Sequence, residues 1–323
     1  MCEHVESRSA TTPGAPSFPN SPAFSYAVYL ESWTDPKVEA AADSTIAKFP
    51  EYVTHVLLSH MRPDSQYKGG VTFKGTGLRF RSDAAVVKDA IALLKKKNPH
   101  TKVLLSVGGF LYDSWDELNV PAIVEFVKAF GLDGVDLDYE PATADCNLIE
   151  EKMQCDTDDQ YIGIIKALRE ALPRPYILAN AVLYVGAYGE GEWANQEPLS
   201  LYTGLAIAPL RQAGEALDLL LLMAYDGGES FVPEDALAAY GQLFKGDILL
   251  GVEVGPESWS HHVIDMPTID RLSDFVKARG TAGMMLWHAY KQADPGTPTS
   301  NEVSKQICNN LSLEDCDSPL VPE

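Results

Sequence analysis

From about Phe24 onward, short apolar runs rich in Val, Leu and Ile alternate with stretches whose apolar residues recur at helical spacing. Short continuous apolar runs are the mark of strands buried on both faces of a parallel sheet. Eight can be read: 25–33 (SYAVYLESW), 52–61, 101–109, 132–140, 176–182, 217–226, 247–254 and 282–290. Between them the 3.6-residue period predicts helices over Ala84 to Lys97, Val120 to Phe130, Gln160 to Leu172 and Thr268 to Arg279. Ser82 or Asp83 stands where a helix cap is wanted, and Gly280 stands where a helix should stop.

Strand–helix alternation predicts an α/β fold, either an open doubly wound sheet or a closed barrel. The glycine-rich phosphate turn that an open sheet carries after its first strand is missing. Eight strands predict a (β/α)8 TIM barrel, single domain, placed at 24–300. Residues 1–23, rich in Ser, Pro, Thr and Ala, read as a disordered leader, and 301–323 as a C-terminal tail that a disulfide can close.

Composition narrows the function. Of the 323 residues 46% are hydrophobic and 22% charged, and no apolar run approaches the roughly 20 residues of a membrane span. A net charge of −21 repels nucleic acid at long range, so neither a membrane nor a nucleic acid is expected as partner. Cys146 with Cys155 and Cys308 with Cys316 are spaced for short disulfide loops, although reduced thiols fit the spacing equally; Cys2 is left over.

The chemistry concentrates on the fourth run. Asp136, Asp138 and Glu140 alternate with Val135, Leu137 and Tyr139, and a period of two puts three carboxyls on one face of one strand. Stacked like charges are poor core design. A divalent metal would justify them, but no further His or Asp cluster completes a ligand set, so no metal or cofactor is expected. Acid catalysis also would, because neighbouring acids raise one another's pKa and keep a proton available near neutrality.

The run DGVDLDYE, Asp133 to Glu140, resembles the DxxDxDxE signature of glycoside hydrolase family 18, the chitinase family. SVGG at Ser106 to Gly109 is similar to that family's SxGG motif, MAYD at Met223 to Asp226 to its MxYD motif, and Trp287 to its barrel-floor tryptophan. The resemblance covers about Tyr26 to Tyr290. It implies retaining hydrolysis in which the substrate's acetamido oxygen is the nucleophile. Glu140 is then the acid, Asp138 the partner of the acetamido N–H, Asp136 its tuner and Tyr225 the holder of the acetamido carbonyl. Met223, Asp226, Trp287 and Tyr29 would bind substrate. Trp33, Trp115, Trp193 and Trp259 either stack on sugars or cover the core, and Glu31 and Glu253 stand near strand ends without a fixed role.

About 27 residues separate the seventh and eighth runs, too few for the α+β insertion many relatives of that family carry. The resemblance is thus to the compact branch, with a shallower cleft suited to cutting within chains, walled by Pro141 to Asp159 and Tyr184 to Thr203. The implied partner is chitin or an N-acetylglucosamine oligosaccharide, met by a secreted monomer. Endo-β-N-acetylglucosaminidase action on N-glycans is the alternative, and an inactive chitin-binding lectin a weaker one, because Glu140, Asp138 and Tyr225 are all present.

Overall fold

The computed structural model describes residues 23–322; the leader and Cys2 lie outside them. All eight apolar runs become strands of one closed parallel barrel. In chain order these are β1 (Ser25–Glu31), β2 (His55–Met61), β3 (Lys102–Gly108), β4 (Gly134–Asp138), β7 (Ile177–Leu183), β8 (Leu219–Met223), β9 (Asp247–Glu253) and β10 (Gly283–Trp287). β5 (Asn147–Ile149) and β6 (Lys152–Gln154) form a separate hairpin. Around the barrel the order is β1, β10, β9, β8, β7, β4, β3, β2.

A helix follows each barrel strand: α1 (Thr45–Lys48), α2 (Ala84–Lys97), α3 (Val120–Phe130), α4 (Asp158–Ala171), α5 (Ile207–Ala213), α6 (Pro233–Leu243), α7 (Met266–Arg279) and α8 (Ser300–Asn310). The four helices predicted by periodicity are α2, α3, α4 and α7 to within two residues. Gly280 closes α7 in the left-handed conformation at φ 64°, its N–H bonding the carbonyls of Lys277 and Val276. The cap expected on α2 is not made. Asp83 is the N-cap residue but accepts no hydrogen bond, and the Ser82 hydroxyl accepts instead from the Val38 N–H, 2.9 Å away, tying the β1 loop to α2.

Residues 301–310 all belong to α8, which packs on α7 and completes the helical ring, with a capping box at Thr299 and Glu302, so the segment expected as a tail begins as part of the barrel. Beyond α8 Leu320 and Val321 are buried, and Asn301 bonds both backbone groups of Val321. Cys308–Cys316 ties α8 to this segment, and Cys146–Cys155 closes the loop that carries the β5–β6 hairpin.

Alternate strand positions face the lumen. Ala27, Tyr29, Leu57, Leu104, Leu221, Leu249 and Met285 pack there, while Val28, Val103, Val135 and Leu250 face the helices. Burying one such Leu or Val contributes about 1.5–3 kcal/mol, so the lower lumen is a packed core rather than a channel. Polar side chains are thereby displaced to the carboxyl ends of the strands.

Candidate active site

The same alternation carries Asp136 and Asp138 into the lumen beside β3, where Ser106 registers with Asp136 and Gly108 with Asp138. Asp136 is wholly buried. Its Oδ2 accepts from the Tyr29 hydroxyl at 2.8 Å and the Ser106 hydroxyl at 2.7 Å, which offset part of the cost of burying it. Burial pushes its carboxyl up to about 6, with those two hydroxyls opposing the shift.

Asp138, one turn of pleat higher, is 2% exposed. Burial raises its pKa well above the ordinary carboxylate range, and Glu140 and Asp136 add to the rise. It has no cation to offset them. The nearest base, His60, lies 3.8 Å from Asp138 Oδ2 and 3.3 Å from the Ser106 hydroxyl. Burial drops the His60 imidazole to about 3, so it stays neutral. Oδ1 of both aspartates is buried with no hydrogen-bond partner.

Glu140 follows the strand and is partly buried. Burial raises its carboxyl to about 7; the Phe110 backbone N–H works the other way, and the charge of Asp226 adds to the rise. A carboxyl with that value holds a usable proton near neutrality.

The glycines of SVGG have a steric reason. Gly108 has φ 105°, and a Cβ there would meet the Asp138 carbonyl at 2.2 Å and the Trp115 ring at 2.4 Å. Gly109, at φ 80°, would strike the His60 ring. Two glycines let β3 turn under Asp138, and the Gly109 N–H bonds the Asp138 carbonyl at 2.8 Å.

Two strands round the barrel from β4, at the end of β8, Met223 and Tyr225 are 8% and 7% exposed. Burial raises the Tyr225 hydroxyl, as do the carboxylates of Glu253, Asp138, Glu140 and Asp226 around it. Trp287 packs edge-on to Tyr29 at 5.1 Å and stacks on His60 at 5.7 Å. All eight residues singled out from the sequence thus lie at one barrel mouth. Asp226 has a further duty there: its Oδ1 accepts from the backbone N–H groups of Trp259 (2.6 Å) and Ser260 (3.2 Å), and its own N–H bonds Glu257 Oε2 at 2.7 Å.

The other tryptophans divide. Trp115 is buried against Tyr139, and Trp193 stacks on Tyr188; both are packing residues. Trp33 lies 6.0 Å from the His60 ring at the mouth, and Trp259 is 64% exposed. The two long connections meet at Met153, whose N–H bonds Glu190 and whose side chain fills the space over Gly189 and Gly204. His60 and Lys291 escaped sequence reading, since a single His or Lys after an apolar run carries no periodic signal. Lys291 bonds Glu253, and His288 lies 3.3 Å from Glu31. Among the described residues no group of three or more His, Cys, Asp or Glu is arranged to hold a metal ion.

The family model described as Glycosyl hydrolases family 18 matches residues 25–262. Chitinase 1 of Aphanocladium album is 29% identical over 206 residues, which take in 54% of this chain and 42% of that one. The matched part is therefore less than half of that curated relative. Among solved structures, a GH18 chitinase from Pseudoalteromonas aurantia superposes with a TM-score of 0.60 at 18% identity, covering 88% of this chain and 99% of that one. The Group IV chitinase of Ostrinia furnacalis, solved with allosamidin, gives 0.61 at 13% identity over 90% of this chain and 99% of that one. At these identities the likeness speaks for the fold.

Proposed function

The chain belongs to glycosyl hydrolase family 18, and from that premise we propose that it hydrolyses the β-1,4 bonds of chitin or chito-oligosaccharides with retention. One observation carries the reading. Asp136, Asp138 and Glu140 climb one face of β4 into the barrel mouth with raised pKa values and no neighbouring cation, an arrangement that costs stability and supplies protons.

In this reading Glu140 gives its proton to the glycosidic oxygen as the bond to C1 breaks. The substrate's acetamido oxygen attacks C1 from the opposite face, forming a cyclic oxazolinium, and Glu140 then deprotonates a water that attacks C1 from the face the leaving group left, breaking the bond to the acetamido oxygen. Asp138 bonds the acetamido N–H. A cation developing beside it favours its ionised form, and Asp136, held by Tyr29 and Ser106, is the group placed to share the released proton. The Tyr225 hydroxyl holds the acetamido carbonyl in line, and Trp287 floors the sugar with Met223 and Tyr29 beside it. No cofactor takes part.

Two disulfides suit a secreted protein, and none of the described helices is long and apolar enough to cross a membrane. The intact acid ladder argues against a sugar-binding protein without activity. Product analysis on N-acetylglucosamine oligomers, glucose oligomers and an N-glycopeptide tests the proposal. N-acetylglucosamine oligomers are expected to be cut, glucose oligomers not, because they lack the nucleophile. Comparable cleavage of glucose oligomers would refute the assisted mechanism, and cleavage of the glycopeptide alone would move the chain to the N-glycan reading.

A further inference from the structure

Two of the most exposed apolar side chains among the described residues touch each other across the barrel mouth. Phe110 is 60% and Trp259 64% exposed, yet their ring centroids are 4.8 Å apart at an interplanar angle of 58°. Phe110 stands two residues beyond β3 and Trp259 six beyond β9. In the strand order these strands are four steps apart by either route, so they are diametrically opposed. A contact between their loops therefore spans the opening.

Both ends of the span are tied to the site beneath. Next to Phe110, the Gly109 N–H bonds the Asp138 carbonyl at 2.8 Å. The Trp259 loop is gripped from the far side: Asp226 Oδ1 accepts from the N–H groups of Trp259 and Ser260, the Asp226 N–H bonds Glu257 Oε2, and the Ser260 hydroxyl bonds the same oxygen. Glu257, 7% exposed, also bonds the His262 carbonyl through its own N–H at 2.8 Å, which closes the loop on itself. The backbone carrying Trp259 is thus fixed by several hydrogen bonds, whereas the link to Phe110 is one exposed aromatic contact, weak enough to part.

Resting on the saccharide reading above, we infer that Phe110 and Trp259 form a parting roof over Glu140, and that Trp259 is a specificity-determining residue admitting an unbranched chain by its end more readily than by its middle. Beneath the roof a linear sugar chain can slide in. A chain taken up at an internal unit, or one bearing a bulky branch, requires the rings to separate first, so action within a polymer is limited by that separation. The expected shallow open cleft is in this respect covered.

The test uses full-length protein made catalytically silent by Glu140→Gln and compares uptake of two N-acetylglucosamine hexamers, one with free ends and one with bulky groups on both. The free hexamer is expected to associate roughly tenfold faster, since the blocked one must wait for the rings to part. Adding Trp259→Ala brings the two rates to within about twofold by speeding the blocked ligand, and Trp259→Phe restores the difference because an aromatic partner for Phe110 returns. An unchanged melting curve certifies the fold of each variant. Equal rates with Trp259 in place, or a difference that Trp259→Ala leaves intact, overturn the roof and leave the saccharide reading standing. Failure to bind either hexamer overturns that reading, and the roof with it.

Discussion

The barrel mouth holds two groups of buried carboxylates, and they are compensated differently. On the β4 side Asp136, Asp138 and Glu140 face hydroxyls, a backbone amide and a neutral imidazole. On the β1, β9 and β10 side Glu31 and Glu253, both raised to about 7 chiefly by burial, share Lys291, which bonds Glu253; the Ser258 hydroxyl also bonds Glu253, at 2.8 Å. His288 beside Glu31 is held neutral by burial and by the Lys291 charge. A buried acid with a cation becomes half of an ion pair, fixed in geometry. One without a cation keeps its proton until a substrate gives it a reason to move. Tyr225 feels the carboxylates of both groups.

The contrast is broken most severely by Glu140→Gln, which keeps the shape of the side chain and removes its proton. Turnover of an N-acetylglucosamine oligomer should fall by about 100 to 10,000-fold with the melting temperature little changed; activity within about tenfold of the original would remove Glu140 from its role.

Lys291→Met attacks the other group and should act on stability. It leaves Glu253 buried without its cation, and breaking a buried pair costs roughly 3 kcal/mol, somewhat less here because Lys291 is 15% exposed. Because the folded-state pKa of Glu253 is raised, that cost is present at alkaline pH and fades as pH falls and the carboxyl takes a proton. Denaturant melts at pH 8 and pH 5 measure this, and an equal loss at both would mean that packing, not charge, was removed.

Tyr225→Phe sharpens the comparison. If its hydroxyl orients the acetamido oxygen in the transition state, kcat should fall at least about tenfold with little change in KM, equivalent to about 1.4 kcal/mol of barrier. An unchanged kcat would make Tyr225 a spacer between the two groups.

The smallest effect is graded. Glu140 must hold a proton to act as acid and its pKa is raised to about 7, so kcat/KM should decline as pH rises through about 7. A profile flat to pH 9 would assign the acid to another group.

The barrel itself was legible because eight strands buried on both faces leave eight apolar runs, and the acid ladder because period two fixes which side chains share a face, whatever the strand packs against. α5, α6 and α8 were not read. α5 spans only Ile207–Ala213, and α8 is rich in polar residues, with a helix start set by the local Thr299–Glu302 box. Which residues surround each acid lay beyond the sequence altogether. Ser106 reaches Asp136 through the register of β3 on β4, Lys291 reaches Glu253 from the loop after the next strand, and Phe110 meets Trp259 from the opposite side of the mouth. Local periodicity determines what a strand presents. Only barrel closure, which sets register and brings distant loops over one opening, decided what those side chains meet.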